Sequence, residues 1–433
     1  MAKRSVYSKG FVDIIGPRSE FAGKVDDGGT IVARTEPACY GPMITPEMKS
    51  GHTVTRPIRV VGAEIGDGIA LKIRDIKIDS RATASGVSVP RKGSYLGDPF
   101  VAKKCPGCGT LNPRTRVEGF GPDAVRCRKC GTPVSAFHVT SGYTMIFGDR
   151  RRVGVTCPKA VAELIAKDAM AWARLPRDAL CHPILALALA DMPSGIVTRV
   201  RPMIGNIGTI PAVDMPSSHN AGDFGQFLVG APHEYALARE DLAKRTDSHM
   251  DIDTVGEGSI LIAPVKVDGA GVIVGDAHAM QGDGEIAGHT TDVSSEVTLE
   301  VELVKNLNND GPILLPNPED LPPLARPFQL LSNDEKREAQ RLAKEFGFDL
   351  RTDLAPVQAV GSGANLNEAV ENGLDRMTRL SGTTLDEVKN LTTITGGIEI
   401  GRLPGIIQVT MQVPTARLEK IGIAHLVKRQ YQI

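Results

Sequence analysis

Between Asp276 and Glu285 the chain carries four ionisable side chains, Asp276, His278, Asp283 and Glu285, within ten residues. Carboxylate and imidazole together are the ligand set of a hydrolytic metal and also a general acid/base pair. The run leading into them, Gly271-Val-Ile-Val-Gly-Asp-Ala-His278, reads as a buried strand. On a strand Asp276 and His278 are two apart and project to the same face. Gly282 and Gly284 then turn the chain, permitting close backbone approach. A plainer reading is a polar hairpin loop in which Asp and Glu cap backbone amides. His289 lies just beyond. Asp247-Ser-His-Met-Asp-Ile-Asp253 places His249, Asp251 and Asp253 at alternate positions, a second contribution. His52 stands before the first strand pair, where a lone histidine is more often structural.

Four cysteines form a separate constellation. Cys105-Pro-Gly-Cys108 and Cys127-Arg-Lys-Cys130 are separated by 18 residues, and each pair is followed by glycine, Gly109 and Gly131. Two such turns aim four thiolates at one point, the tetrahedral sulfur site of a structural zinc ribbon. Four thiolates leave no open position, so this zinc is structural and any catalytic metal sits elsewhere. The ribbon is basic, with Lys103, Lys104, Arg114, Arg116, Arg126, Arg128 and Lys129, which reads as a solvated surface. Nucleic-acid contact is the less favoured alternative. A cysteine nucleophile is the other enzymatic route: Cys157 precedes Pro158 at a predicted helix N-terminus, and Cys181 is followed by His182.

The elements that must position these groups are mainly strands. Ile58–Val61 and Ile69–Ile73 read as two strands joined by Gly66-Asp-Gly68, and the apolar phase then slips by one residue toward Ile76 and Ile78. A β-bulge near Asp75 explains the slip. Val297, Leu299, Val301 and Leu303 alternate with polar residues, giving a strand with one buried and one wet face. Helical spacing marks Pro158 to Arg174 (Val161, Leu164, Ile165, Ala169 and Trp172 on one stripe), Asn333 to about Phe346, and Leu366 to Met377, with Gly382 and Thr383-Thr-Leu-Asp-Glu387 starting a further short helix. Ile398 to Val413 returns to strand alternation. Six prolines between Asn308 and Pro327 forbid regular helix or a central strand there and mark a connector.

Composition bounds the function classes. At 433 residues the chain exceeds one hydrophobic core, and its formal net charge of −1 offers no global attraction for nucleic acid or anionic lipid. Met-Ala-Lys-Arg-Ser at the start lacks the apolar run of a signal peptide, and Pro183 to Ala190 is too short to span a bilayer. Cysteines paired as CxxC fit a reducing compartment. These features predict a cytoplasmic protein with no membrane partner.

Several segments, in order, resemble the acetamidase/formamidase family. They are His52-Thr-Val-Thr-Arg-Pro57, Val60-Val-Gly-Ala-Glu-Ile-Gly-Asp-Gly68, Arg201-Pro-Met-Ile-Gly-Asn-Ile-Gly-Thr209, His249-Met-Asp-Ile-Asp253 with Glu257-Gly-Ser259, and above all Val274-Gly-Asp-Ala-His-Ala-Met-Gln-Gly-Asp-Gly-Glu285. The resemblance implies hydrolysis of a small linear, non-peptide amide to ammonia and a carboxylate, in a homo-oligomer. It implies a β-rich α+β fold: a β-sandwich-like core, a C-terminal α/β portion and the small zinc-ribbon insertion. The expected division is 1–102 for the N-terminal β part, 103–133 for the ribbon, 134–307 for the β-rich catalytic core, 308–360 for a Pro-rich connector and helix, and 361–433 for the α/β portion. Asp276, His278 and Glu285 match the family motif as catalytic candidates; His52 and Asp251 match less distinctive surroundings, and His249 and Asp283 are further site candidates. His278 is the candidate ligand of a second divalent ion, Zn2+ or Ca2+, beside the structural Zn2+ of Cys105, Cys108, Cys127 and Cys130. Glu285 or Asp276 is the expected base, and the backbone near Gly282 and Gly284 the expected oxyanion donor. The chain departs from the family in having Asp247-Ser-His249 where Gly-Gly-Asn is usual, and in extra residues around 103–133, 221–246 and 311–350. The alternative function is a non-catalytic zinc-ribbon protein that binds nucleic acid or a partner subunit.

Overall fold

The computed structural model describes residues 5–37, 43–98, 100–219, 229–231 and 233–433. It is a mixed α+β, strand-rich fold of several sheets, one of them a curled half-barrel. Of the extra residues expected around 221–246, residues 221–228 and 232 lie outside the described ones.

Among the described residues the largest sheet has nine strands. In spatial order they are Ser5–Ser8, Thr30–Thr35, Ser295–Val304, Gly68–Ile78, Ile260–Pro264, Ile313–Leu315, Leu354–Ser362, Ile406–Pro414 and Gly397–Arg402. Only the first pair is parallel. The slip in apolar phase is a bulge: Thr298 pairs with Asp75 and Leu299 with Ile73, so Arg74 is the extra residue. Beyond it, Ile76 and Ile78 recover the buried face.

Ile313–Leu315 overturns an expectation, since it is a central strand inside the proline-rich stretch. Pro312 and Pro316 flank it, and the three residues that make the ladder keep their amides. The helix expected over Pro158 to Arg174 is instead two short helices, Lys159–Ala166 and Ala169–Ala173. Leu164 points outward at 62% exposure while Ile165 is buried. The later helices form where their signals stand. Ser332 with Glu335 and Thr384 with Glu387 make capping boxes for Asn333–Phe346 and Leu385–Thr395. Asn365 caps Leu366–Ser381, which ends at Gly382 in the left-handed conformation.

Both faces of the large sheet are covered. Leu71, Leu261, Leu299 and Leu314 pack toward Ile58, Val272, Val274, Ile204 and Ile207. The last five belong to a second sheet, in which Val272–His278 pairs with Met203–Thr209, Val54–Thr55 and Ile58–Val60. On the opposite face Ile260, Ile262, Val357 and Val409 meet Met377, Val388 and Leu426 of the C-terminal helices. Alternation thus sends successive residues of one strand into two different cores. Among the described residues no helix is long and apolar enough to cross a membrane.

The C-terminal helix Leu366–Ser381 is bolted to the core by charge. Asp247 Oδ2 accepts from Arg376 Nη2 at 2.5 Å and Asp247 Oδ1 from Arg245 Nε at 3.0 Å. Ser362 Oγ donates to the same Oδ1 at 3.0 Å. Burial opposes the carboxylate, but Arg245 and Arg376 outweigh it and hold the Asp247 carboxyl well below its usual range. Replacing Asp247 with Ala removes the buried carboxylate that the Arg245 and Arg376 guanidinium groups share, and chemical denaturation should show a loss of about 3–5 kcal/mol. The depressed carboxyl contributes in full above the unfolded aspartate value of about 3.9 and loses its contribution as pH falls below it. The variant should therefore lose part of the acid limb of the stability profile. An unchanged denaturation midpoint would show that the cluster does not hold the helix.

Candidate active site

The second sheet places the acidic and histidine residues at the end of Val272–His278. Asp276 and His278 meet directly, with His278 Nε2 2.8 Å from Asp276 Oδ1. The neighbouring strand Met203–Thr209 runs beside them, and its Gly205 carbonyl receives the amides of Met250 and Asp251 at 2.8 and 3.1 Å. This brings the His249 to Asp251 segment in from the other side. His249 Nε2 stands 2.7 Å from Asp251 Oδ2 and 3.8 Å from Asp276 Oδ2. His52 Nδ1 lies 3.3 Å from that same Asp276 oxygen, and the His52 and His249 rings stand edge to face at 4.1 Å between centroids.

Glu285 completes the group through a residue with no warning in the sequence. Arg402 Nε is 3.0 Å from Glu285 Oε2 and 3.0 Å from Asp251 Oδ2. The Gly284 amide donates to the Gly401 carbonyl at 3.1 Å, and the Leu403 amide donates to the Gly284 carbonyl at 2.9 Å. The glycine turn is thereby stitched to the end of the edge strand Gly397–Arg402. This also corrects the expected oxyanion role, because the Gly284 amide is already spent on Gly401. Gly282 is exposed at the surface.

Asp283 stands outside the cluster, exposed, beside Asp253. Asp253 pairs with Arg201 at 2.8 Å, and burial together with Asp283 pushes its carboxyl up to about 6. Asp292, absent from the expected set, is buried with Oδ1 3.4 Å from His278 Nε2.

The orientation of two imidazoles decides what the cluster can hold. His249 Nδ1 is 2.9 Å from the Ser218 carbonyl, which only accepts, so that nitrogen carries the hydrogen. His278 Nδ1 is 3.0 Å from Gln281 Oε1, and the Gln281 amide nitrogen donates to the Asp251 carbonyl, which fixes the way the side chain faces. Both rings therefore turn Nε2 inward, toward buried carboxylates. A lone pair facing a carboxylate in a buried site requires a cation between them, a proton or a metal ion. The ligand atoms fall into two triads, His52/His249/Asp276 and Asp251/Asp276/His278, which share Asp276. Asp251 Oδ1 and Glu285 Oε1 are buried without a hydrogen-bond partner among the described residues. These observations fit a divalent metal.

Burial and neighbouring charges move these groups in different directions. Burial works against a charged His278, but Asp276 and Asp251 outweigh it and raise its pKa well above the ordinary value. For His249 burial is likewise overcome by Asp251. His52 moves the other way, driven well down by burial and by His249. Burial and the Asp251 charge push the Glu285 carboxyl well up, with Arg402 opposing. The backbone is strained here too. Asp251, Asp276 and Glu285 all have positive φ, at 49°, 56° and 40°. Three acidic residues of one site in the left-handed region mark a place where surrounding structure over-determines the backbone, as at functional centres.

A cleft of 240 Å³ opens onto the cluster, lined by Met43, Phe100, Ser218, His289 and, on its floor, His52 and Arg402. Larger clefts lie elsewhere, such as one of 470 Å³ beside Leu307, Arg376 and Arg417, and none of them reaches the acidic and histidine residues.

Another convergence lies behind the cleft wall. His219 Nε2 and His233 Nε2 approach Asp98 Oδ2 at 2.5 and 3.4 Å. The Tyr235 amide donates to His233 Nδ1 at 3.1 Å, so the hydrogen of a neutral His233 ring sits on Nε2 and faces Asp98. This group reads as a hydrogen-bonded anchor for the wall. Lys103, expected on the basic surface, is buried instead; its Nζ donates to the Phe100 carbonyl at 2.6 Å, and burial lowers its pKa to about 7.

The four cysteines converge as their spacing requires. Cys105 and Cys130 Sγ are 3.5 Å apart, and Cys108 and Cys127 Sγ 4.0 Å. A tetrahedron with Zn–S of about 2.3 Å has edges of about 3.8 Å, so the cluster fits zinc. The knuckles repeat one another: Gly109 and Gly131, both with positive φ, donate to the Cys105 and Cys127 carbonyls at 2.9 Å. Cys157 and Cys181 do not suit a nucleophile, since burial raises both thiols, Cys181 well above the ordinary value and further so by Glu36.

No curated protein matches the chain. Among solved structures it is similar to a predicted acetamidase/formamidase from the thermophile Thermoanaerobacter tengcongensis, with TM-score 0.53, 17% identity and coverage of 97% of this chain and 98% of that one. The acetamidase of Bacillus halodurans gives 0.51 at 15% identity, covering 97% and 100%. That of Yersinia enterocolitica gives 0.52 at 17%, covering 96% and 94%. At such identities these likenesses speak for the fold. The model of the acetamidase/formamidase family matches residues 28–416, and the chain belongs to that family of amidohydrolases acting on linear amides.

Proposed function

We propose that this chain is a metal-dependent hydrolase of small linear primary amides, releasing ammonia and a carboxylate at the cluster beneath the Phe100 cleft. The observation that carries metal dependence is the inward turn of two imidazoles, His249 and His278, fixed by the Ser218 carbonyl and by Gln281. His52, His249, Asp251, Asp276 and His278 would hold one or two divalent ions, with Asp276 common to both triads. Three imidazoles favour a transition ion such as Zn2+ over Ca2+, which prefers an all-oxygen shell. When bound, such an ion supplies Lewis acidity, polarising the amide carbonyl and making water acidic near neutral pH.

The chain's own residues do the rest. His52 and Arg402 form the floor on which the amide lies, and the Arg402 guanidinium favours negative charge developing on the carbonyl oxygen. Glu285, as a carboxylate, takes the proton from attacking water and returns it to the amide nitrogen, its protonated form favoured by burial and by the Asp251 charge. The nitrogen leaves as ammonia only once protonated. The packing of the second sheet on one face of the large sheet supports a sandwich-like core beneath this site, and the helices on the other face support a C-terminal α/β portion.

Metal analysis of the native protein beside a Cys105→Ser variant tests the reading. The variant should lose the ribbon zinc and keep the metal bound by imidazole and carboxylate, because the two sites share no ligand. A native protein whose whole metal content disappears with Cys105→Ser would contradict it.

A further inference from the structure

The cysteine ribbon has no part in the chemistry above, yet its two roots meet at the cleft. Phe100 stands just before the ribbon and Phe137 just after it, and their rings pack at 5.3 Å between centroids. Phe100 is fixed on every side. Its amide donates to Asp98 Oδ1 at 2.9 Å, its carbonyl accepts from buried Lys103, and its ring stands edge-on to His219 at 6.0 Å. A Cβ built on Gly51, next to His52, would sit 3.1 Å from the Phe100 ring, so the ring lies close enough to the opposite wall that a side chain there would crowd it. Asp98, His219, His233 and Lys103, four buried polar groups around one aromatic residue, thus hold a rigid apolar wall over His52 and Arg402.

We propose that Phe100 is the specificity-determining residue of this site: its ring closes the acyl side of the cleft and restricts the enzyme to short-chain primary amides. The inference rests on the amide reading above. The amine side of a primary amide carries only hydrogen, so chain length is discriminated where the acyl group lies, and Phe100 with Met43 supplies the apolar surface there. The ribbon insertion then serves to brace this wall, which gives a role to a motif that the reaction itself does not need.

The test is kcat/KM for acetamide, propionamide and butyramide with the native protein, Phe100→Ala and Phe100→Leu. One methylene in an apolar pocket is worth roughly 10–200-fold. The butyramide-to-acetamide ratio should therefore rise about 10-fold or more in Phe100→Ala, mainly through a lower KM for the longer amide, with Phe100→Leu between. Phe100→Leu keeps an apolar contact for Phe137 and serves if the alanine variant does not fold. A folded variant that turns over acetamide with the native selectivity ratio overturns the proposal. Native protein that hydrolyses no amide of the series would remove the amide reading itself, and this inference with it.

Discussion

Glu285→Gln should lower ammonia release by about 10²–10⁴-fold, the range lost when a general acid/base is removed. The substitution keeps the shape that Arg402 contacts at 3.0 Å and replaces the titrating carboxyl with a neutral amide that cannot carry the proton. His278→Ala should cost more than the 10–100-fold typical of losing an outer partner of a metal, since His278 is one of the residues proposed to hold the ion directly. The two variants should differ in metal content. Glu285→Gln keeps the non-ribbon metal and loses turnover; His278→Ala loses both. Native turnover in Glu285→Gln would remove Glu285 from proton transfer and leave the metal reading standing.

Gly205→Ala is the second large effect expected, and it follows from close packing alone. Gly205 lies opposite Asp276 between the Ile204–Ala277 and Asn206–Gly275 pairs. An added Cβ would come within 2.6 Å of Asp276 Oδ2 and closer still to Asp251 Oδ1. Both carboxylates are fully buried and have nowhere to move. Overpacking of this kind costs about 1–3 kcal/mol, and a displacement of about 1 Å in a reacting constellation costs on the order of 10²-fold in rate. The variant should bind the non-ribbon metal poorly and release ammonia at roughly one hundredth of the native rate. A folded Gly205→Ala protein with native turnover would show that the Asp251–Asp276 pair is not where the reaction takes place.

Much of this site was legible in the residues. Asp276 and His278 two apart on an apolar strand, followed by a glycine turn to Glu285, are local features, and local geometry follows from local sequence. The bulge at Arg74 was legible for the same reason: a slip in alternation has one structural solution. The cysteine spacing likewise gave the knuckles without help from the fold.

What was not legible depends on tertiary approach. Arg402 lies 117 positions from Glu285 and looks like an ordinary polar position in an alternating strand. Asp292 and Gly205 carry no local sign that they face the cluster. Asp283 sits within the motif yet turns outward, because the chain between Gly282 and Glu285 is a surface turn and only its last residue re-enters. Lys103 was misplaced for a similar reason: only the fold puts a carbonyl where its ammonium can be buried. The strand at Ile313–Leu315 shows that prolines exclude only the positions they occupy.

The most direct measurement compares ammonia release from acetamide by native protein and by His278→Ala, with the metal content of both determined on the same preparations. The account predicts turnover in the native protein, its loss in the variant, and the loss of the non-ribbon metal with the zinc at Cys105, Cys108, Cys127 and Cys130 retained. Undiminished ammonia release from His278→Ala protein lacking any metal outside the ribbon would contradict it.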